Sequence, residues 1–505
     1  MTIYDNSEEL MKRIVTFLLL VALALSVLTA CNTGENNESS AVSVGGTNNN
    51  TTNEYKDADG YYVPKHEVRD MDGRLFTIIV RGSAFGTYQS DDFTTESELY
   101  GDLINDAVKK RNDKIEELYN VKLDVIKSDT IDNDIRLDCT SNLGTYDAIM
   151  PSLPALATFA SERYLVDLTT LENFDENAPW YEQSCSKAFS FGDKLYFTTG
   201  DITILNKVCT PSVLFNKEMA QKYNMPDLYK LVESKEWTFD KMVELAKQVN
   251  NISTSDGSYS EDNIYGMVSS WGDAASFYGA SGETICRKDS DDLPYLSIGA
   301  SDRSITIAQK VLEEFATGDW FIHAQDFQGK TDDIWETSFE VFYNGRALFR
   351  PSAFSATTKL RSRSNIMFGI LPMPLMDETQ DEYYSYCGTG QTAGIAIPVC
   401  AQDPEYSAYM IEACSAWAKN YITTAYYDVN LRYKDVRDDE SEAMLDIIFD
   451  NIVYDIGECY NFGEIYSIFS TLAQNKSTDI VSSLESKKTE AENEIEELKE
   501  TYMNN

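Results

Sequence analysis

Hydrophobic positions along the chain switch repeatedly between the spacing of strands and that of helices. Residues 75–80 (Leu-Phe-Thr-Ile-Ile-Val) form a near-continuous apolar, β-branched run of the kind a buried strand carries. Residues 82–92 read as a loop, and 103–119 then repeat apolar residues at helical spacing through Ile104, Val108, Ile115 and Leu118. Residues 121–126 alternate as a second strand, 146–150 give a third, and 155–161 a helix. This strand–helix–strand order predicts an α/β lobe with a largely parallel sheet. Ligands of such sheets bind beyond the carboxyl ends of the strands, which here are the loops starting near Arg81 and Pro151.

From residue 213 the pattern changes. Residues 213–217 predict a short strand entering a helix, and Trp237-Thr238-Phe239-Asp240 opens a helix through Val249 with Thr238 as its cap. Residues 342–349, 368–371 and 394–397 read as further strands. From about Ser477 the chain is a charged helix with Val481, Leu484, Ala491, Ile495 and Leu498 on one stripe. No period of about 20 to 50 residues repeats, which excludes a solenoid.

The N-terminal pattern is of another kind. Lys12 and Arg13 precede an apolar run over 14–28, which has the length of a signal-peptide core and falls short of the ~20 residues of a spanning helix. It ends in Leu28-Thr29-Ala30-Cys31. That tetrapeptide resembles the lipobox of bacterial lipoproteins, which implies cleavage before Cys31 and a diacylglyceryl group on its sulfur. A plain secretory signal with an incidental cysteine is the alternative. Met11 is the expected start, because residues 1–10 carry acidic side chains that spoil a positive n-region. Residues 1–30 are then a signal peptide and 31–67 a lipid-anchored flexible tether, rich in Asn, Ser, Thr and Gly. A chain so processed is held by lipid on the outer face of the cytoplasmic membrane.

Length and charge set further limits. At 505 residues the chain exceeds a single-core domain and suits two lobes. Its 83 Asp and Glu against 42 Lys and Arg give a net charge of −41, which repels nucleic acid and anionic lipid headgroups. Beyond Cys31, the cysteines at 139, 185, 209, 286, 387, 400, 414 and 459 are scattered without a C-x-x-C pair, so metal-ligand spacing is absent. Most sit in apolar contexts and read as buried thiols, with no pairing assigned. His66 and His323 are the only histidines, and neither neighbours a plausible nucleophile. The stretch 388–393 matches G-x-G-x-x-A, but a strand-like segment follows it where a dinucleotide site needs a helix. The loop 251–262 lacks the alternating carboxylates of a calcium loop and reads as a hairpin. No metal and no cofactor is expected.

Several stretches together carry a resemblance. Leu214-Phe215-Asn216-Lys217-Glu218-Met219, Tyr223-Asn224-Met225 and Glu236-Trp237-Thr238-Phe239-Asp240-Lys241-Met242 are similar to a stretch of extracellular solute-binding proteins of family 1, the sugar-type binding components of ABC importers. Phe342-Tyr343-Asn344-Gly345-Arg346-Ala347-Leu348, residues 368–374 and the segment from Gly394-Ile395-Ala396-Ile397 into 404–408 resemble later motifs of that family, in order. The resemblance spans about 72–505. It implies an α/β, two-lobed periplasmic-binding-protein-like fold of type II, with discontinuous lobes joined by a hinge. In family terms the first lobe holds 68–205 and 341–388, and the second 206–340 and 389–505.

Sugars are gripped by aromatic faces and by planar polar side chains in a largely preformed cleft. The loop 82–91 lies where the carboxyl-end rule places ligand and offers Phe85, Tyr88 and Asp91. Ser152 and Glu162 flank the helix after the third strand, a plain helix start being the competing reading. Trp271 and Tyr278 follow the apolar stretch 265–268, in a region from which the family often supplies a stacking platform; core packing is the alternative. Arg350 and Phe354 follow the Gly345-Arg346 strand, and Arg350 reads equally as a ligand donor or half of an ion pair. Tyr427 lies in a C-terminal helical part able to reach the rim.

The resemblance implies a lipoprotein that closes on a carbohydrate, an oligosaccharide above all, and delivers it to the transmembrane permease subunits of an ABC importer without performing chemistry. A peptide or other non-sugar solute is the alternative within that class. A lipid-anchored glycosidase with paired carboxylates, or a surface scaffold, are alternatives outside it.

Overall fold

The computed structural model describes residues 54–99, 101–252, 260, 263–363, 366–432 and 439–503. Cys31, the segment 1–30, the tether as far as residue 53 and most of the loop 251–262 lie outside the described residues. Among the described residues no helix is long and apolar enough to cross a membrane.

The first sheet is built from β1 (Arg74–Arg81), β2 (Val121–Ser128) and β3 (Ala148–Met150), all parallel in the order β2-β1-β3. Its central strand is covered on both faces, so β1 carries an apolar run without alternation. Phe76, Ile78 and Val80 face one core and Ile79 the other, all fully buried. Each is worth roughly 1.5–3 kcal/mol of burial. Between the strands run α1 (Gly101–Tyr119) and α2 (Ile131–Ser141), and α3 (Leu153–Ser161) follows β3.

A second sheet has the order β8-β4-β7-β5-β6, from β4 (Pro211–Asn216), β5 (Tyr265–Ser269), β6 (Phe321–His323), β7 (Ala347–Ala353) and β8 (Phe368–Leu371). β4 runs antiparallel to β7 and β8, while β5 is parallel to β6 and β7. The helix α4 (Phe239–Val249) starts where the sequence places it, with the Thr238 hydroxyl accepting from the Lys241 amide at 3.1 Å. Such a cap is worth about 1 kcal/mol.

Sheet membership differs from the expected lobe division. Leu214 pairs with Arg350 and Phe215 with Phe349, and Leu214 also pairs with Ile370, so β7 and β8 join the second sheet, whereas the resemblance places 341–388 in the first lobe. The segment after 389 goes the other way. Ala396 bridges Ile149 and Ile395 bridges Thr198, which extends the first sheet beyond β3 by isolated bridges and not a full strand. The helix α8 (Pro404–Ala418) then buries Tyr409, Met410, Ala413 and Cys414 in the core of Phe76, Ile78 and Val80. Backbone pairing and apolar burial, both long-range, decide these memberships. The chain therefore crosses between the sheets at 199–210, at 387–392 and at 419–423.

Three local expectations are corrected. Phe342 and Tyr343 finish the helix α6 (Ile334–Tyr343) and do not open a strand; Gly345, with φ of 72°, turns the chain into β7. The C-terminal helix α9 (Ile480–Met503) buries Ile480, Leu484, Ala491, Ile495, Leu498 and Tyr502, but leaves Val481 46% exposed, one position off the stripe. The last part of the tether is not loose. Tyr55 is only 5% exposed, its ring stands edge-on to Trp180 at 5.5 Å, and its hydroxyl donates to Asp175 at 2.7 Å. The backbone of Tyr62 binds the Asn420 amide in both directions at 2.8 Å, so residues 55–65 pack on the body.

Candidate functional site

The carboxyl ends of the parallel strands deliver loops to a common place. Beyond β1 the chain makes a 3-10 turn over Ser83–Tyr88, and beyond β5 it passes through Trp271 into α5 (Asp273–Ala280). The carboxyl end of β7 brings Ser352 there, and the crossing segment brings Gly388 and Gln391. Between them lies a cavity of about 140 Å³. Tyr88 borders it from the side of the first sheet. Asp273, Ser276 and Ser352 border it from the second, Cys209, Gly388 and Gln391 from the segments that cross, and Tyr386 from just before the second of them.

Several of the lining groups are held by partners outside the cavity. The Tyr88 hydroxyl lies 3.5 Å from Ser355 Oγ, so a first-sheet loop already touches α7 (Ser355–Arg363). Arg81, buried at the end of β1, donates to the carbonyl of Gln391 at 2.6 Å. Tyr386 donates to Asp455 Oδ2 at 2.9 Å, and the Thr389 amide donates to Glu458 Oε1 at 3.0 Å. Asp455 also accepts the amides of Ile285, Cys286 and Gly457. Burial, helped by the neighbouring Asp455 charge, pushes Glu458 up to about 8 against the bond it receives from Thr389. Burial likewise pushes Asp273 up to about 6, against the bonds it receives from Ser270 and the nearby Arg350 charge. The cavity thus combines a titratable carboxyl, hydroxyls, an amide and two tyrosine rings.

A buried ionic knot ties two of the crossings. Asp201 accepts from Lys207 Nζ at 3.3 Å, Lys419 Nζ at 2.9 Å and the Thr423 hydroxyl at 2.8 Å. Burial alone would raise its pKa, but the two lysine charges hold it below the usual carboxylate range.

The residues singled out from sequence fall in several places. Tyr88 lines the cavity. Phe85 is half-buried nearby under the Arg81 guanidinium, 5.6 Å from its ring. Asp91 is buried within its own loop, paired with Lys127 and accepting from Ser97 and Gln89. Ser152 caps α3, accepting from the Ala155 amide, and its backbone bridges Ala393. Glu162 sits at the far end of α3 in a surface ion pair with Arg136. Trp271 is half-buried at the carboxyl end of β5, its amide donating to Gln325. Tyr278 is 1% exposed, with its ring against Phe469 and its hydroxyl bonded to Ser304, which is core packing. Arg350 donates to the Ser338 carbonyl and lies 5.0 Å from the Phe339 ring, so it is neither a surface ion pair nor a lining residue. Burial lowers it to about 10, against the pull of Asp273 and Glu336. Phe354 is fully buried against Phe449, and Tyr427 packs on the same ring. His323 lies among Phe315, Phe321 and Trp271, and His66 stacks on Tyr409 at 3.8 Å.

Asp273, Ser276, Tyr386 and Gln391 were not singled out. Asp273 follows Trp271 by two positions, and Gln391 belongs to the G-x-G-x-x-A stretch, which serves as a crossing segment. Among the described residues no group of three His, Cys, Asp or Glu is placed to hold a metal ion.

No family model and no curated protein matches the sequence. Solved structures do match the fold. An ABC substrate-binding protein from Listeria monocytogenes in complex with cycloalternan superposes with a TM-score of 0.51 at 14% identity, covering 84% of this chain and 98% of the other. The GacH receptor of Streptomyces glaucescens, solved unliganded and with acarbose and an acarbose homolog, gives 0.50 at 13% identity, covering 85% and 97%. A cyclo/maltodextrin-binding protein complexed with maltotetraose gives 0.53 at 13% identity, with the same coverages of 85% and 97%. The likeness runs nearly the full length of each neighbour and is one of fold.

Proposed function

We propose that this chain is the solute-capturing component of an ABC importer, taking a carbohydrate, an oligosaccharide above all, into the cleft between its two sheets. The observation that carries the reading is the likeness of fold along nearly the whole length of three neighbours, to which the cavity adds the place, with room for about one sugar ring in this arrangement. The cavity is bordered from both sheets at once, and it pairs tyrosine faces with carboxyl, hydroxyl and amide groups suited to sugar C–H patches and hydroxyls. The three neighbours named above are solved with carbohydrate-type ligands, and their fold is the fold of this chain. Capture by closure needs no chemistry: ligand favours the closed arrangement to the extent that it binds it better than the open one. Delivery to permease subunits, and attachment to the membrane by lipid on Cys31, complete the reading. Their support is the Leu28-Thr29-Ala30-Cys31 tetrapeptide and the positively flanked apolar run before it.

The test is a thermal-shift and calorimetric screen of the purified full-length chain against linear and cyclic oligosaccharides, with peptides and amino acids as a second panel. At least one glycan should raise the melting temperature and bind with one-to-one stoichiometry. Stabilisation by peptides alone would overturn the carbohydrate assignment, and release of product from a bound glycan would make the chain a glycosidase.

A further inference from the structure

Of the eight described cysteines, two on distant stretches of chain meet at the edge of the first sheet. Cys139 lies in the last turn of α2 and is partly exposed; Cys400 lies in the turn after the 393–398 segment and is buried. They are 261 positions apart, yet their sulfur atoms are 3.6 Å from one another. Their backbones are fixed independently of that contact. The Val399 amide donates to the Tyr164 carbonyl at 2.8 Å and the Ala401 amide to Pro398 at 2.9 Å, while the Asn142 amide donates to Cys139 at 3.2 Å. The Asp138 carboxylate, held by the Thr145 amide, accepts from the Cys400 thiol at 3.0 Å. Other buried thiols are occupied differently: Cys387, for example, has its sulfur 3.2 Å from the Thr392 hydroxyl.

We propose that Cys139 and Cys400 form a disulfide when the chain meets a thiol–disulfide oxidant, stapling α2 to the segment that extends the first sheet. A disulfide sulfur pair sits about 2.05 Å apart, so the thiols must close by roughly 1.5 Å. The partly exposed Cys139 is the attacking group. It is the thiol that a small disulfide can reach, whereas the contact with Cys139, burial and the Asp138 carboxylate keep Cys400 protonated. The Cys139 thiolate attacks one sulfur of a small disulfide RSSR, forming a mixed disulfide and expelling RS⁻. Cys400 then passes its proton to solvent, attacks the Cys139 sulfur and expels the second RS⁻. Two protein thiols are oxidised, one RSSR is reduced, and the two protons end on two RSH. The outer face of a membrane, proposed above as the site of this chain, is a compartment where such bonds persist. Neither cysteine borders the cavity, so the staple leaves the ligand site alone.

The test uses the reduced full-length chain incubated with oxidised glutathione, then alkylated, digested without reductant and mapped by mass spectrometry. A cross-linked peptide pair joining Cys139 to Cys400 is expected, together with a melting temperature about 2–5 °C higher than that of the reduced chain. Cys139→Ser and Cys400→Ala should each abolish that rise while leaving the melting temperature of the reduced chain nearly unchanged. Should either variant fail to fold, the peptide map of the unsubstituted chain still decides. Recovery of both residues as separately alkylated peptides, or of Cys139 only as its glutathione adduct, overturns the proposal.

Discussion

Tyr88 borders the cavity while its hydroxyl reaches Ser355, so under the proposed function one side chain would serve both ligand and closure. Tyr88→Ala removes a stacking face and an inter-sheet contact, and affinity for a stabilising glycan should fall about tenfold by calorimetry. Tyr88→Phe should retain most of it. Under the proposed function, Asp273 would give the site a pH dependence. Its folded pKa of about 6 lies above that of a free carboxyl, so the fold itself favours the protonated form, and the carboxylate is present only above that value. A ligand hydroxyl donating to that carboxylate loses its acceptor as pH falls through 6. Affinity should therefore drop between about pH 7 and 5, and Asp273→Asn should flatten the profile. A pH profile unchanged by that substitution would remove Asp273 from the ligand contact. Position along the sequence pointed to the region of this residue without isolating it: Trp271 was the more conspicuous side chain, whereas Asp273 faces the cavity because it opens α5 at the end of β5.

At the scale of elements, α8 carries its own titration. Glu412 is buried, accepts from Tyr181 at 2.8 Å and the Asp175 amide at 3.1 Å, and is pushed by burial up to about 8. Between the ordinary carboxyl value and 8 the folded chain binds more protons here than the unfolded one. Stability is then fully present on the acid side and declines as pH rises through that window. Glu412→Gln keeps an acceptor for both donors and removes the charge, so the variant should melt higher than the parent by a few degrees at pH 8 and equally near pH 5. Equal melting points at pH 8 would mean that the carboxyl is not protonated in the fold. Elements of this kind were legible to different degrees. β1, α1 and the cap at Thr238 followed from apolar runs, helical spacing and a hydroxyl before a helix, all local signals. The boundary between α6 and β7 was misread because Phe342 continues an apolar stretch across the Gly345 turn. The isolated bridges at 393–398 replaced a strand, since that segment borrows partners from both Ile149 and Thr198.

At the scale of the molecule, two α/β sheets were readable from alternation, but which segments complete each sheet was not. β7 joins β4 across more than a hundred residues of chain and β5 across a shorter span, and α8 returns to a core laid down by β1, facts that no local pattern encodes. The same long-range closure creates the knot at Asp201, where a carboxylate on the first crossing holds lysines on the first and the third. Removing its charge leaves Lys207 buried without a counter-ion, a change that typically costs about 3–5 kcal/mol when one partner of a buried pair is lost. Asp201→Asn retains a hydrogen-bond acceptor for Thr423 but not the charge, so denaturant unfolding should show a loss on the order of 3 kcal/mol. Because the knot joins two crossings, the loss should also reach the cleft: the variant should bind the same glycan more weakly although Asp201 does not border the cavity. Small-angle scattering with and without ligand reads the difference directly. If the knot only stabilises one lobe, the variant will unfold more easily yet compact on ligand binding as the parent does, with unchanged affinity. If it sets the angle between the sheets, the unliganded variant will be the more expanded of the two, and the ligand will recover compaction only at higher concentration.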